Sequence, residues 1–140
     1  MEKRSKIFIA SDHRGYKLNS FLLEQYPFID LGPFSEESVD YNDYAKLLVN
    51  ELAEGDKGVL ICYSGLGMSI AANRYPKARA ALAMSPEMVK LAREHNDANI
   101  LVLSGLLEQK LAKDLIKIFL DTPFSNEERH KRRIEKLQSC

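Results

Sequence analysis

A cysteine stands directly before a glycine-rich loop near the middle of the chain. Cys62 ends a short apolar run, and Gly65 and Gly67 follow it. Glycines let backbone N–H groups approach a ligand closely, and the start of a helix adds partial positive charge. A cysteine thiolate beside such a loop is a competent proton acceptor. The spacing therefore predicts a site where a proton is transferred next to a small anion or an enolate.

A purely structural interpretation of Cys62 competes with this one, because most lone cysteines are small buried hydrophobic residues. The Gly-Leu-Gly sequence after Cys62 favours the functional interpretation, since a core cysteine needs no anion-binding loop. The loop lacks the Gly-Lys-Ser/Thr of a nucleotide P-loop and the third glycine of a dinucleotide-binding motif. A small phosphorylated or enolic ligand fits it better.

Two other polar pairs are candidates for acid-base chemistry. Asp12 and His13 follow the first apolar run, where they could orient and protonate substrate oxygens. Helix capping by Asp12 beside a surface histidine explains this pair equally well. His95 and Asn96 belong to a polar stretch, residues 95–99, between the predicted fourth helix and fifth strand. Because asparagine and aspartate are ordinary turn residues, the histidine is the informative member.

A basic segment, residues 129–133, lies near the start of the predicted last helix, where the macrodipole disfavours cations. A solvated charged face is the default interpretation. However, Arg129 and Arg133 are one helical turn apart on the same side, a spacing that suits two-point binding of a phosphate. Tyr41 is a further candidate for lining the crevice, whereas Tyr44 is expected to pack in the core.

Short apolar runs alternate with amphipathic segments along the chain. The predicted strands are residues 6–10, 28–31, 58–61, 78–83 and 99–103. A helix is predicted between each pair of strands, another over 108–120, and a last one over about 126–138. This order indicates βαβ units with right-handed crossovers. The predicted fold class is α/β, a three-layer α-β-α sandwich around a five-stranded parallel sheet of the Rossmann or flavodoxin type.

Parallel sheets bind ligands at the carboxyl ends of their strands. Polar residues that follow three of the predicted strands are therefore expected to face one crevice: Asp12, His13, Cys62, Ser64 and Ser85. The fourth helix is expected to begin at Ser85–Pro86. Its inner face is expected to consist of Met88, Val89, Leu91 and Ala92.

Composition narrows the class of protein. The chain has 140 residues, enough for a substantial core, and we expect one domain over 1–140. Its 20 basic and 20 acidic side chains cancel, so no overall field attracts nucleic acid or an anionic membrane. No apolar run approaches the roughly 20 residues of a membrane span, which predicts a cytoplasmic protein. Two cysteines and three separated histidines indicate free thiols and no metal site.

Six segments in order resemble the ribose-5-phosphate isomerase B family, which belongs with the galactose-6-phosphate isomerase subunits. They are residues 11–15, 37–41, 61–73, 79–81, 93–99 and 129–133. The resemblance covers nearly the whole chain and implies a five-stranded parallel sheet between helices. It also implies an isomerase, without metal or cofactor, that interconverts ribose 5-phosphate and ribulose 5-phosphate through a cis-enediolate.

The resemblance assigns roles by position. It makes Cys62 the base that moves a proton between C2 and C1, because Met68 occupies the position of a glutamate used in another branch of the family. The amides of residues 64–68 would stabilise the enediolate oxygens. The loop residues concerned are Gly65, Leu66, Gly67 and Met68. Ring opening is implied for His95 and Ser64, with Asp12 nearby.

Substrate binding and assembly are implied in the same way. Asn96 would hold substrate hydroxyls, and three residues would bind the phosphate: His13, Arg129 and Arg133. Family dimers share each active site, so the resemblance implies a homodimer, or a tetramer of such dimers. The helix at about 126–138 would pack on the partner subunit. His95, Arg129 and Arg133 would then serve the partner's Cys62.

Three positions depart from the family pattern. Tyr63 stands where glycine is usual and either narrows the sugar pocket or turns outward, and Ser64 stands where threonine is usual. Leu106 stands where many members carry an arginine that can contact phosphate. Arg14 replaces a usually small residue, and we hypothesise that it takes over the missing charge.

Other functions stay open at this point. The substrate could be a six-carbon sugar phosphate, allose 6-phosphate or galactose 6-phosphate. The chain could instead bind a sugar phosphate without turnover, since Tyr63 and Leu106 are changes that allow this. A flavodoxin-like mononucleotide binder is supported by fold analogy alone.

Overall fold

The computed structural model describes residues 5–140, which contain one five-stranded parallel sheet. The strands are β1 (Ile7–Ser11), β2 (Ile29–Asp30), β3 (Lys57–Cys62), β4 (Ala80–Leu82) and β5 (Ile100–Ser104). Their order is β2-β1-β3-β5-β4, and every neighbouring pair is parallel. The predicted α/β fold with a five-stranded parallel sheet is confirmed.

Residues 5–140 contain six α-helices, five of which contribute to the apolar clusters on the two faces of the sheet. They are α1 (Tyr16–Leu23), α2 (Tyr41–Glu51), α3 (Leu66–Ala72), α4 (Pro86–Asn96), α5 (Gln109–Asp121) and α6 (Glu128–Gln138). Helices α1, α4 and α5 contribute to the apolar cluster on one face. Helices α2 and α3 contribute to the cluster on the other face. No helix within residues 5–140 is long and apolar enough to cross a membrane.

The strand residues alternate between these two clusters, as the period of a β-strand requires. In β3, Val59 and Ile61 belong to one cluster, whereas Leu60 and Cys62 belong to the other. Strands β3 and β5 are therefore buried on both faces, which explains their continuous apolar sequences. Cys62 is the last residue of its strand, so it packs against the core and also lies at the carboxyl end of the sheet.

The structure corrects several predicted details. Met88 and Leu91 are exposed, because the buried stripe of α4 is made by Val89, Ala92 and Arg93. Residues 95 and 96 are the last turn of α4 and not a loop. The left-handed residue Asp97, with φ of 46°, ends that helix. Helix α2 ends at Glu51, and Gly55 lies in the turn that precedes β3.

Candidate active site

The carboxyl ends of β1, β3 and β5 bring the first group of predicted residues together. The backbone N–H of Asp12 donates to the Ile61 carbonyl at 3.1 Å, and that of Gly105 donates to the Cys62 carbonyl at 2.8 Å. In the strand register Cys62 is opposite Ser104. Asp12 and Cys62 therefore lie at one edge of the sheet, as the strand-end argument predicts.

The Cys62 thiol is enclosed, with 4% of the residue exposed, and the loop directs a donor at it. The Gly65 N–H lies 3.2 Å from Sγ. Gly65 has φ of +86°, and a Cβ there would lie 2.5 Å from a methyl carbon of Leu82. Only glycine combines this backbone conformation with this close packing. The N–H stabilises negative charge on the sulfur.

The rest of the loop forms the first turn of α3, which begins at Leu66. First-turn amides such as those of Gly67 and Met68 have no acceptor within their own helix. The Leu66 N–H donates to Ser64 Oγ at 3.1 Å. The Met68 side chain is fully buried, so only its backbone can face a ligand.

Tyr41 packs against this turn. A Cβ on Gly67 would lie 2.7 Å from the Tyr41 ring, so the glycine makes room for it. Tyr44 is partly buried against the core cluster beside α2, as predicted. Tyr41 thus lies beside the loop, whereas Tyr44 contributes to the core.

Asp12 has the capping contacts that the structural alternative predicts. Its Oδ1 accepts hydrogen bonds from the N–H groups of Arg14 and Gly15, at 2.9 and 3.0 Å, and so closes a 3₁₀ turn over His13–Gly15. The Nδ1 of His13 accepts the Val39 N–H at 3.2 Å. In a neutral imidazole the proton is then on Nε2, which leaves His13 a donor for a substrate oxygen.

Arg14 and Tyr63, two residues that differ from the family pattern, are in contact. The Arg14 guanidinium carbon lies 5.0 Å from the centre of the Tyr63 ring, within the range of a cation–π interaction. Tyr63 is 50% exposed and therefore turns outward. Leu106, where many family members carry an arginine, is close by, because a Cβ on its neighbour Gly105 would lie 2.9 Å from the Arg14 carbonyl oxygen.

The second group of predicted residues lies at the opposite end of the sheet, beside the amino ends of the strands. Helix α4 starts after the carboxyl end of β4, and its 11 residues carry the chain about 16 Å to the amino end of β5. His95 and Asn96 are its last residues, so they lie far from Cys62 of the same chain. Asn96 lines a cavity of about 480 Å³ between β4 and the end of α6, and Cys62 does not contribute to that cavity.

Helix α6 packs against α4 and adds its basic residues to this second group. The His95 and His130 rings are stacked, with centroids 4.3 Å apart and planes 32° apart. Arg129 pairs with Glu127 at 2.9 Å and, like Arg133, is exposed. Burial, His95 and both arginines lower the pKa of His130 below its ordinary value of 6.5, while Glu127 opposes this shift.

The predicted site residues therefore form two separate groups, which we call half-sites. The Cys62 half-site consists of Asp12, His13, Arg14, Tyr41, Cys62, Ser64 and the loop of residues 65–68. The His95 half-site consists of His95, Asn96, Arg129 and Arg133. Within residues 5–140 no three His, Cys, Asp or Glu side chains converge as a metal site.

Two features of these half-sites escape sequence reasoning. The contact between Arg14 and Tyr63 joins a turn after β1 to a residue after β3, and no local pattern signals it. His130 was visible only as one member of a basic segment. Its hydrogen bond with Ser125 and its stacking on His95 depend on how α6 returns to α4.

Comparison with known proteins matches residues 7–137 to the Ribose/Galactose Isomerase family. Ribose-5-phosphate isomerase B of Escherichia coli is 36% identical, over 94% of this chain and 93% of its own. A crystal structure of a ribose 5-phosphate isomerase from Thermotoga maritima is 49% identical with a TM-score of 0.90, covering 99% of this chain and 100% of that one.

The type B ribose 5-phosphate isomerase of Trypanosoma brucei has a TM-score of 0.93 at 37% identity, covering 98% of this chain and 99% of that one. These matches extend over both half-sites and the whole sheet. The chain therefore belongs to the ribose/galactose isomerase family.

Proposed function

We propose that this protein is a cytoplasmic aldose-ketose isomerase that interconverts ribose 5-phosphate and ribulose 5-phosphate. The observation that carries the proposal is the enclosed Cys62 thiol with the Gly65 N–H directed at its sulfur. This arrangement suits a base beside an oxyanion. Relatives named ribose-5-phosphate isomerases match nearly the full length of the chain and support the substrate.

In this mechanism the Cys62 thiolate removes the proton from C2 of the open-chain aldose. The C–H electrons form the C1–C2 double bond of a cis-enediolate as the C1 carbonyl oxygen gains negative charge. Backbone amides of residues 65–68 stabilise that charge, a contribution that commonly exceeds that of the base. The thiol then returns the proton to C1. The C2 hydroxyl proton passes to the C1 oxygen, so that C2 becomes the ketone and C1 carries the hydroxyl group.

The remaining residues bind and open the sugar. His13, Arg129 and Arg133 bind the phosphate, and Asn96 holds substrate hydroxyls. Ser64 and His95 open the furanose ring, with Asp12 in the same half-site as Ser64. The two half-sites lie at opposite ends of the strands of one sheet. A second copy of the chain must therefore bring the His95 half-site to the partner's Cys62.

The two copies are proposed to contact one another along the edge strand β4 and the helices beside it. The helices on both sides of this edge, α3 and α4, together with the β4–α4 turn, carry exposed apolar side chains. They are Leu66, Ile70, Met84, Met88 and Leu91. Exposed apolar surface of this kind is typical of an interaction site. We infer a homodimer, or a tetramer of such dimers, in which each chain is one domain and α6 lies over the partner subunit.

Arg14 is proposed as an additional phosphate ligand. It directly follows His13, and the ring of Tyr63 supports its guanidinium. An arginine binds phosphate with two parallel hydrogen bonds, whereas Leu106 offers no charge. Arg14 thus replaces the arginine that relatives carry after the fifth strand.

An assay of the purified chain with a panel of aldose phosphates tests the proposal. We expect the highest kcat/KM with ribose 5-phosphate. A preference for allose 6-phosphate or galactose 6-phosphate would reassign the substrate within the family, whose name covers both ribose and galactose isomerases. Binding of these sugars without turnover or solvent-proton exchange would contradict an enzymatic role.

A further inference from the structure

We propose that His130 is a positioning residue that holds the His95 ring in the orientation needed for ring opening. This inference rests on the proposed function, in which His95 opens the furanose ring. It assigns a role to a histidine that the mechanism above does not use.

The stacked arrangement of the two rings is the first observation. The His130 ring lies 4.3 Å from the His95 ring, at a tilt of 32°. His130 is 4% exposed, whereas His95 is exposed in the last turn of α4. An exposed side chain must lose rotamer freedom to act in one geometry. A buried neighbouring ring reduces that cost, because packing has already fixed its own position.

The second observation is a set of contacts that ties His130 to the end of α4. Ser125 Oγ lies 2.7 Å from His130 Nδ1, and the Ser125 N–H donates to the Glu94 carbonyl at 3.1 Å. Glu94 directly precedes His95. The segment before α6 therefore connects the backbone beside His95 with the ring that packs on it, and this fixes both rings relative to one another.

The charges around His130 are the third observation. His95 on α4 and Arg129 and Arg133 on α6 lower the pKa of His130 together with burial, and Glu127 opposes them. A neutral ring stacks on His95 without adding a second positive charge beside it. His130 also lies between Arg129 and Arg133 in the sequence of α6. One helical segment thereby sets the ring-opening residue and the phosphate-binding residues in a constant relation.

The experiment separates ring opening from proton transfer. Ribose 5-phosphate is largely a furanose, whereas ribulose 5-phosphate stays open because its O5 is esterified. Solvent deuterium exchange at C1 of ribulose 5-phosphate thus reports the Cys62 step without ring opening. Turnover of ribose 5-phosphate requires both steps. His95→Ala is the reference variant, expected to lose turnover and to retain exchange.

Two substitutions of His130 separate the effect of its ring from the effect of its hydrogen bond with Ser125. His130→Gln keeps a hydrogen-bonding group for Ser125 but removes the ring, and we expect kcat with ribose 5-phosphate to fall about 10-fold to 100-fold. Exchange into ribulose 5-phosphate, and its KM, should stay close to wild type. His130→Phe keeps a ring and should restore most of the turnover. Ser125→Ala changes an exposed residue and should show a smaller loss of the same kind.

Wild-type turnover by His130→Gln would overturn this role. So would a parallel loss of turnover and exchange in His130→Gln and Ser125→Ala, because it would indicate a general structural effect or a damaged phosphate site. Wild-type protein without turnover or exchange would instead overturn the proposed function, and the role of His130 with it.

Discussion

The sulfur of Cys62 and the backbone nitrogen of Gly65 are 3.2 Å apart, and the N–H donates to the sulfur. Gly65 is only three positions after Cys62, so the proposed base and the first amide of the loop are in contact. The proposed base and the loop proposed to stabilise the enediolate are thus parts of one local structure. This contact leads to the first two predictions.

Replacing Cys62 by serine should lower kcat for ribose 5-phosphate about 1000-fold, because a hydroxyl is a far weaker base than a thiolate. KM should change little, since the phosphate ligands remain. The matched control is Cys140→Ser, which alters the other cysteine of the chain, an exposed one. Steady-state kinetics of both variants test this. A wild-type rate for Cys62→Ser would remove Cys62 as the base.

Gly65→Ala should reduce both activity and stability. An added Cβ would meet Leu82 at 2.5 Å, and the left-handed backbone costs a non-glycine residue about 1–2 kcal/mol. Gly55→Ala is the control, because Gly55 has φ of +88° but its Cβ would contact only the Ser5 hydroxyl, at 3.3 Å. We expect both variants to unfold at lower urea concentration and only Gly65→Ala to lose most of its kcat. Equal activities would show that the loop tolerates displacement.

Arg14→Ala should raise KM for ribose 5-phosphate about 10-fold, because a charged hydrogen bond to the phosphate is lost. Tyr63→Leu should raise KM by a smaller factor, since it removes the ring that supports the guanidinium. Lys17→Ala, at an exposed residue of α1, is the control for a simple loss of positive charge. An unchanged KM for Arg14→Ala would rule out Arg14 as the replacement for the missing arginine.

Mixing two inactive variants should restore activity if copies share their sites. Cys62→Ser and His95→Ala each damage one half-site. In a homodimer of either variant, both active sites are therefore incomplete. After subunit exchange, about a quarter of the wild-type activity should return, because half of the dimers are hybrids with one intact site. A mixture of Cys62→Ser with Cys62→Ala is the control. No recovery, despite hybrids detected by native mass spectrometry, would place both half-sites in one protomer.

Acid should destabilise the wild-type protein more than His130→Phe. The pKa of His130 is lowered in the folded state by burial, His95, Arg129 and Arg133, against the opposing effect of Glu127. The stability that neutral His130 contributes to the folded state is therefore fully present above pH 6.5, the ordinary pKa of histidine. It is lost as the pH falls toward the lower pKa of the folded state, because the unfolded chain binds the proton more readily. Urea unfolding midpoints at about pH 7.5 and about pH 5.5 test this. An identical pH dependence in both proteins would contradict it.

Much of the fold and of the Cys62 half-site follows from sequence because these features are local. The apolar run of β3, the glycines after it and the start of α3 are consecutive in the chain. The N-cap at Ser85, whose Oγ accepts the Met88 N–H at 3.3 Å, is likewise a pattern of neighbouring residues. Hydrophobic periodicity and turn chemistry act over a few residues, so a single sequence contains them.

The exposure of Met88 and Leu91 could not be predicted in this way. Helical spacing places them near the inner side of α4, but the burial of a helix flank depends on where the sheet ends. Strand β4 is the edge strand beside α4, so within residues 5–140 no further strand extends the sheet past that flank. The side chains that sequence analysis assigned to the core thus lie on the surface proposed to contact a second copy.

By itself, then, the sequence determined the α/β class, the order of strands and helices, and a cysteine in contact with a glycine loop. Only the tertiary structure decided that Arg14 lies on Tyr63 and that His130 stacks on His95. It also decided that His95 lies beside the amino ends of the strands, whereas Cys62 lies at their carboxyl ends. The reason is physical: these relations depend on how distant segments return to one another across a common sheet. Propensity and periodicity act between near neighbours and carry no information about that return.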